Sequence, residues 1–320
     1  MIHQVNKRCK CLLSFEGHVN TEVNGLAPER HPFGGQHVDA AALGWAMSAV
    51  STRAFRLQVD IMSDGKRVRT PMLLPLIDMC NHNFNPNARV VQETDYGSDK
   101  AFVKVVSEEQ IQEHAPILLD YGPLTNDLFL IDYGFVVSKN QHDYVELKYD
   151  RALLDAAAAI AGVRSDAFAS PARWQQEILC QLKVQGDQAV EKVTLGGVDL
   201  VDGHLLAALR VLFAEDLESI EKHDLINLQS LAMEAPLGAA NESNVLRTII
   251  ALCAISLGHF PTKIMEDEML LRKEGNSEAM KLAVEYRIKK KEMLIDVMRD
   301  LTRRLNNVKR IKGKDIADID

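Results

Sequence analysis

The sequence predicts an α+β protein, with short strands and one helix in its first part and an all-α second part. Three observations carry that prediction. Between residues 73 and 137, apolar runs of strand length are broken by Asn, Pro and Gly punctuation. From about Asp150 onward, apolar residues recur instead at three- and four-residue steps. The chain has 320 residues, 47% hydrophobic and 26% charged, which suits one large or two ordinary globular domains. The expected domains are 1–149 and 150–312, with a tail at 313–320.

Residues 1–37 carry Gly17, Gly25, Pro28, Pro32, Gly34 and Gly35 without a sustained period, and read as loop with an apolar patch at Leu12-Leu13. A helix follows from Val38, with Asp39 as N-cap and Leu43, Ala46, Met47 and Val50 on its stripe. It is expected to continue into Ser51-Thr52-Arg53-Ala54-Phe55. Asp64-Gly65 marks a turn, and the apolar run 72–77 leads into the next segment. Residues 88–92 and 101–106 read as a hairpin around Asp95-Tyr96-Gly97, with a third strand at 117–119.

In the second part, Leu205, Leu206, Leu209, Leu212 and Phe213 keep helical spacing, as do Val245, Ile249, Leu252, Cys253 and Ser256 after an N-cap candidate at Asn241. A long final helix is expected from Ser277 past Leu305, striped by Leu282, Tyr286, Met293, Val297, Leu301 and Leu305. Its many Lys and Arg residues, without interleaved aromatics, read as a solvated face. Residues 316–320 read as a frayed tail.

A net charge of -8 argues against general binding to nucleic acid or an anionic membrane. No apolar run is long enough to span a membrane, and the first residues lack the apolar core of a secretory signal. Five cysteines are too few for a disulfide framework. Cys9 and Cys11 form a CxC step with no companion cluster, so no metal is expected there. Cys80, Cys180 and Cys253 stand in apolar contexts and read as buried thiols of a reducing compartment. GxGxxG, Walker and GxSxG patterns are all absent.

The informative stretches are LLPLIDMCNHNFNPNARVV, 73–91, and ILLDYGPLTNDLFLIDYGFVV, 117–137. His82 lacks the Cys or His neighbours that zinc requires, since His114 lies on a polar Glu-His step. Taken alone, the Asn-rich run is a turn, and each Tyr-Gly is an aromatic beside a turn residue. Their combination and order carry more information than either part.

That combination resembles the SET-domain methyltransferases. Asn81-His82-Asn83-Phe84-Asn85-Pro86-Asn87 stands where the family has Asn-His-Ser/Cys-x-x-Pro-Asn, with Asn83 departing from the usual serine. Leu118-Leu119-Asp120-Tyr121-Gly122 matches the strand ending in Tyr-Gly. The Rubisco large-subunit methyltransferase class is similar in Ser51-Thr52-Arg53-Ala54-Phe55, in the Asp78-to-His82 step and in Asn126 leading to Tyr133-Gly134-Phe135. The helical region also resembles that class at 205–212, at Phe260-Pro261-Thr262 with Glu266-Asp267-Glu268, and at 283–294 with Arg287. The resemblance spans about 38–305. The family's early Gly-x-Gly strands have no counterpart, so a truncated chain with a partial SET β-fold and pseudoknot-type core is expected.

The resemblance implies an S-adenosyl-L-methionine-dependent protein-lysine N-methyltransferase acting on a non-histone protein. Its alternatives are a histidine acceptor or a non-catalytic protein-binding module. It implies Tyr121 and Tyr133 as catalytic residues. Thr52, Asp78, Asn81, His82, Tyr133 and Phe135 would bind the cofactor, and Arg53 and Asp78 the substrate. The implied partner is a lysine-bearing protein, with no metal, nucleic acid or membrane. The compartment would be the chloroplast for a plant member with a transit peptide, otherwise cytoplasm or nucleus.

Overall fold

A computed structural model describes residues 2–60, 67–95, 100–163, 168, 170–185 and 192–317. The chain divides into two compact units, 1–135 and 136–320. The change in sequence character falls near Asp150, whereas the second unit starts earlier because Tyr144–Lys148 pairs with Lys192–Gly196.

The first unit opens with helix α1, Ile2–Val23, where the sequence suggested loop. Its apolar residues Val5, Cys9, Leu12, Val19 and Val23 do share helical spacing, but Glu16 and Gly17 interrupt the stripe. Helix α2, Ala40–Ser51, is capped as expected, with the Asp39 carboxylate accepting from the Ala42 N–H. It does not run on through Phe55: Thr52 closes it, and strand β1 covers Ala54–Asp60. Alternation at Phe55, Leu57 and Val59 is a strand period, and it overrides helical continuation. Strand β2, Arg67–Leu73, pairs antiparallel with β1 from Ala54↔Leu73 to Asp60↔Arg67. The Asp64-Gly65 turn signal lies outside the described residues.

The short strand β3, Asn81–His82, precedes the hairpin formed by β4, Ala88–Asp95, and β5, Lys100–Ser107. The hairpin was legible from its alternating residues, while residues 96–99 of its loop lie outside the described set. Strand β6, Leu118–Leu119, returns to lie parallel to β3, pairing Asn81 with Leu118 and His82 with Leu119. Asn87 ties the start of β4 to β6: its side chain donates to the Pro116 carbonyl at 3.0 Å and accepts from Leu118 N–H at 2.8 Å. The unit ends with the turn α3, Asn126–Leu128, and a π-helical turn at Phe129–Tyr133 closed by left-handed Gly134.

The second unit is helical around an antiparallel pair, β7, Tyr144–Lys148, with β8, Lys192–Gly196. Its helices are α4, Arg151–Ala161, α5, Arg173–Gln181, and α6, Gly203–Leu212. They continue with α7, Leu217–Glu221, α8, Leu225–Leu228, and α9, Ala239–Gly258. The last are α10, Ile264–Arg272, and α11, Glu278–Ala317. Helix α6 lies at the centre: every residue from Leu205 to Leu212 is buried, and it packs on α5, α8 and α9, while α9 packs on α4 and on α11, whose stripe Leu294, Val297, Leu301 and Leu305 joins the same core.

Four details depart from the sequence reading. Asn241 is not the cap of α9; it lies inside the helix and donates to the Arg210 carbonyl at 2.9 Å. Helix α11 reaches Ala317, so the tail expected at 316 is helical through that residue. Its basic face is also not wholly solvated. Lys290 is buried on Asp143 at 2.7 Å, and Lys291 is buried on Asp267 at 2.6 Å. The cysteines differ too: Cys253 is buried, but Cys180 is exposed and Cys80 is partly exposed.

Candidate functional site

The parallel β3–β6 pair brings the two informative stretches together. Because the pair is parallel, both strands deliver their C-terminal ends to the same side. His82 leaves β3 there, and Asp120-Tyr121-Gly122 leaves β6. Local hydrogen bonds then shape both exits. Asn83 accepts from Asn85 N–H at 2.8 Å and Asp120 accepts from Gly122 N–H at 2.8 Å, so each chain turns on its own side chain.

The His82 side chain is only 2% exposed and sits among rings. Phe84 meets it edge-on with centroids 4.5 Å apart, Phe129 lies at 4.7 Å, Tyr121 at 5.2 Å and Phe135 at 6.3 Å. Its Nδ1 accepts from the Tyr121 backbone N–H at 3.2 Å, which places the neutral ring's proton on Nε2. Nε2 is buried with no hydrogen-bond partner among the described residues. Burial pushes the imidazole pKa down, outweighing the opposing pull of Asp120 and the Leu119 carbonyl. A proton on Nδ1 would also face the Tyr121 N–H. His82 is therefore a neutral packing and orienting group, not a base.

The two phenols stand beside this cluster. The Tyr121 hydroxyl donates to the Cys80 carbonyl at 2.7 Å, and its ring lies 5.0 Å from that of Tyr133. Burial raises the Tyr121 pKa, assisted by Tyr133 and Cys80 and opposed by Arg53. Burial also raises that of Tyr133, assisted by Asp132 and opposed by Arg56. Both groups are neutral hydroxyls at physiological pH, able to donate or accept a hydrogen bond.

Arg53, in the turn just before β1, reaches the segment before β3. It donates to the Asp78 carbonyl at 2.8 Å and lies 3.9 Å from the Asp78 carboxylate. Asn81 is exposed at the head of β3. Thr52 turns its hydroxyl back to the Ala49 carbonyl at 3.0 Å, as part of the α2 terminus. The structure thus gathers His82, Tyr121, Tyr133 and Phe135 in one cluster, pairs Arg53 with Asp78, and gives Thr52 a capping bond.

Sequence reasoning passed over Phe129, which is fully buried at the centre of the ring cluster, and Phe84, which abuts His82. Both lie inside the quoted stretches, but apolar residues in such runs carry no mark of their partner. It also missed Arg8, whose guanidinium pairs with Asp132 in the π-helical turn. No local pattern links two residues so far apart in the chain.

The arrangement combines an apolar ring wall with a few polar groups at its edge. Among the described residues there is no cluster that could hold a metal ion, and no helix is long and apolar enough to cross a membrane.

Residues 166–294 match the family model described as Rubisco LSMT substrate-binding. The chain is 27% identical over 257 residues to the actin-histidine N-methyltransferase of Mus musculus, covering 78% of this chain and 39% of that protein. It is 34% identical over 104 residues to the ribosomal lysine N-methyltransferase set10 of Schizosaccharomyces pombe, covering 32% of this chain and 18% of that protein. The chain thus spans about two-fifths or less of the length of these relatives. Its fold is similar to that of the SET domain of LSMT solved with lysine and AdoHcy. That match has a TM-score of 0.52 and 17% identity, covering 93% of this chain and 64% of that one.

Proposed function

From its kinship with the SET proteins of the Rubisco large-subunit methyltransferase class, we propose that this chain takes part in S-adenosyl-L-methionine-dependent methylation of a protein nitrogen. The observation that carries the reading is the pair of half-buried neutral phenols, Tyr121 and Tyr133, beside the ring cluster around His82. Lysine is the proposed acceptor. A histidine acceptor is the second reading, favoured by the similarity to actin-histidine N-methyltransferases over 78% of the chain.

When bound, S-adenosyl-L-methionine supplies a methyl group on a positively charged sulfur. The residues proposed to hold it are Asn81, His82, Asp78, Thr52, Tyr133 and Phe135. The fit rests on the ring wall, the Asp78 carboxylate and the exposed Asn81 amide. Methyl transfer is an in-line displacement, so the protein's part is alignment and exclusion of water. Tyr121 already gives its proton to the Cys80 carbonyl, which leaves its oxygen free to accept an N–H from the acceptor nitrogen. That contact would point the nitrogen lone pair along the line of displacement. A lysine must arrive neutral, against a reference pKa of about 10.4. The partly exposed rings of Phe135 and Phe84 would disfavour its cation. His82, neutral and locked by the Tyr121 N–H, takes no proton. Arg53 and Asp78 are proposed to meet the polar end of the substrate.

The proposal predicts that calorimetric titration of S-adenosyl-L-methionine into the chain gives saturable binding that Asn81→Ala abolishes. Tyr121→Phe should retain that binding and lose methyl transfer to protein, followed by mass spectrometry of acceptor peptides bearing a single lysine or a single histidine. Modification of histidine alone would move the proposal to its second reading. Absence of donor binding would sink it, leaving the helical unit as a protein-binding module.

A further inference from the structure

Helix α1 reaches the candidate site through the Arg8 side chain. Arg8 forms an ion pair with Asp132, the residue immediately before Tyr133 in the π-helical turn Phe129–Tyr133. The helix that carries Arg8 is itself held in place. The Glu16 carboxylate accepts from Ala40 N–H at 2.8 Å, and Asn20 donates to the Val38 carbonyl at 3.3 Å. Leu12 presses so close to α2 that a Cβ added at Gly44 would lie 3.2 Å from it. Helix α2 in turn packs against both α1 and the π-helical turn. Arg8 therefore acts from an anchored helix rather than from a loose surface.

We infer that Arg8 is a positioning residue for Tyr133: through Asp132 it fixes the π-helical turn that sets the Tyr133 ring against Tyr121. Single π-helical turns are rare and concentrate at functional positions, because their extra residue redirects the side chains around them. This one continues directly from α3, which Thr125 caps, and ends at Gly134 with φ of 76°, so a contact from outside can fix its last residues. Arg8 supplies such a hold from α1. A half-exposed ion pair adds little to overall stability, so the effect belongs to local geometry and charge.

The charge relation points the same way. Asp132 stands beside the Tyr133 phenol and opposes its ionisation, while Arg56 from β1 favours it. Tyr121 faces Tyr133 from the segment after β6, and α2 carries no titratable side chain. Arg8 balances Asp132. Removing the guanidinium leaves that carboxylate unopposed, so the Tyr133 phenol becomes harder to ionise.

The test uses the full chain with ring-labelled tyrosine, followed by NMR across pH with no methyl donor present. Arg8→Ala should move the Tyr133 ring resonance and shift its titration upward, with the Tyr121 resonance following. Arg8→Lys should restore most of both. In an Asp132→Asn background, Arg8→Ala should have no further effect. Unchanged Tyr133 resonances in Arg8→Ala would overturn the inference, as would an undiminished effect in the Asp132→Asn background. If Arg8→Ala fails to fold, Arg8→Lys and Asp132→Asn decide by the same resonances. The catalytic consequence rests on the reading under Proposed function: there, Arg8→Ala should lower turnover about tenfold, as a small misplacement would, and weaken donor binding as well, because Tyr133 is also a proposed donor contact. A wild-type chain without methyl transfer would sink that reading, while the tyrosine resonances would still decide the role of Arg8.

Discussion

Arg210 offers a direct test of what holds the helical unit together. It is fully buried in α6, and all five of its guanidinium N–H groups find an acceptor. Nε and Nη2 grip the two oxygens of Glu242 at 2.9 and 2.8 Å. The remaining donors serve the carbonyls of Leu228, Ser230 and Met233, so one side chain fastens the chain between α8 and α9 onto the central helix. Arg210→Met keeps the apolar stem but leaves the Glu242 carboxylate buried without its cation. Breaking a buried pair from one side costs about 3–5 kcal/mol. With a urea slope of about 2 kcal/mol/M, the unfolding midpoint should fall by roughly 1.5–2.5 M.

The assay is urea unfolding in a Trp45→Phe background. Trp174, packed on the second unit's core, then remains as the sole tryptophan of the two in the chain and reports that unit alone. Pairing Arg210→Met with Glu242→Met should recover much of the loss, because the unpaired charge is removed. A single-variant loss below about 1 kcal/mol would refute the reasoning, and so would a double variant no better than Arg210→Met.

Other consequences follow from the same structure. Burial pushes the Asp267 carboxyl up, but hydrogen bonds from Lys291, Thr262 and Arg287 outweigh it and hold its pKa below the ordinary value. A depressed carboxylate gives stability that is complete above its unfolded pKa of about 3.9 and is lost as pH falls through the folded value. Asp267→Asn should flatten that acid limb in urea midpoints measured against pH. Gly196 has φ of 112°, and an added Cβ would lie 2.6 Å from both the Asp143 carbonyl oxygen and the Met293 sulfur. Gly196→Ala should therefore cost roughly 2–4 kcal/mol in the same unfolding assay. Burial pushes the Cys253 thiol up to about 12, so a thiol reagent at pH 8 should label exposed Cys9, Cys11 and Cys180 and reach Cys253 only after unfolding.

Much of the site was readable because its residues lie in two short stretches with strong local character. Apolar residues between Asn, Pro and Gly marked the β4–β5 hairpin and β6, and motif order singled out His82, Tyr121 and Tyr133; β3 itself, two polar residues of an Asn-rich run that reads as a turn, became a strand only by pairing with β6. Helix α1 was not readable, since Glu16 and Gly17 break its stripe. Strand β8 was hidden in a region otherwise dominated by helical spacing, and β7 joins it only by pairing across 46 residues, as the Lys192–Glu146 contact shows. Asn241 looked like a cap because its side chain suits one, yet its amide serves the carbonyl of Arg210 on another helix.

Local chemistry written in the chain thus determined the periodicity of α6 and α9, the Asp39 cap, the hairpin and the pair of Tyr-Gly turns. The tertiary structure alone decided which charges face inward. Lys290 and Lys291 are neighbours in a basic run that looks solvated, but Asp143 and Asp267 draw both into the interior. It alone decided that the His82 ring is neutral, because that state follows from the Tyr121 N–H and four surrounding rings. It also decided that Arg8 reaches Asp132. Desolvation and ion pairing depend on what lies beside a group in space, and spacing along the chain carries no record of that neighbour.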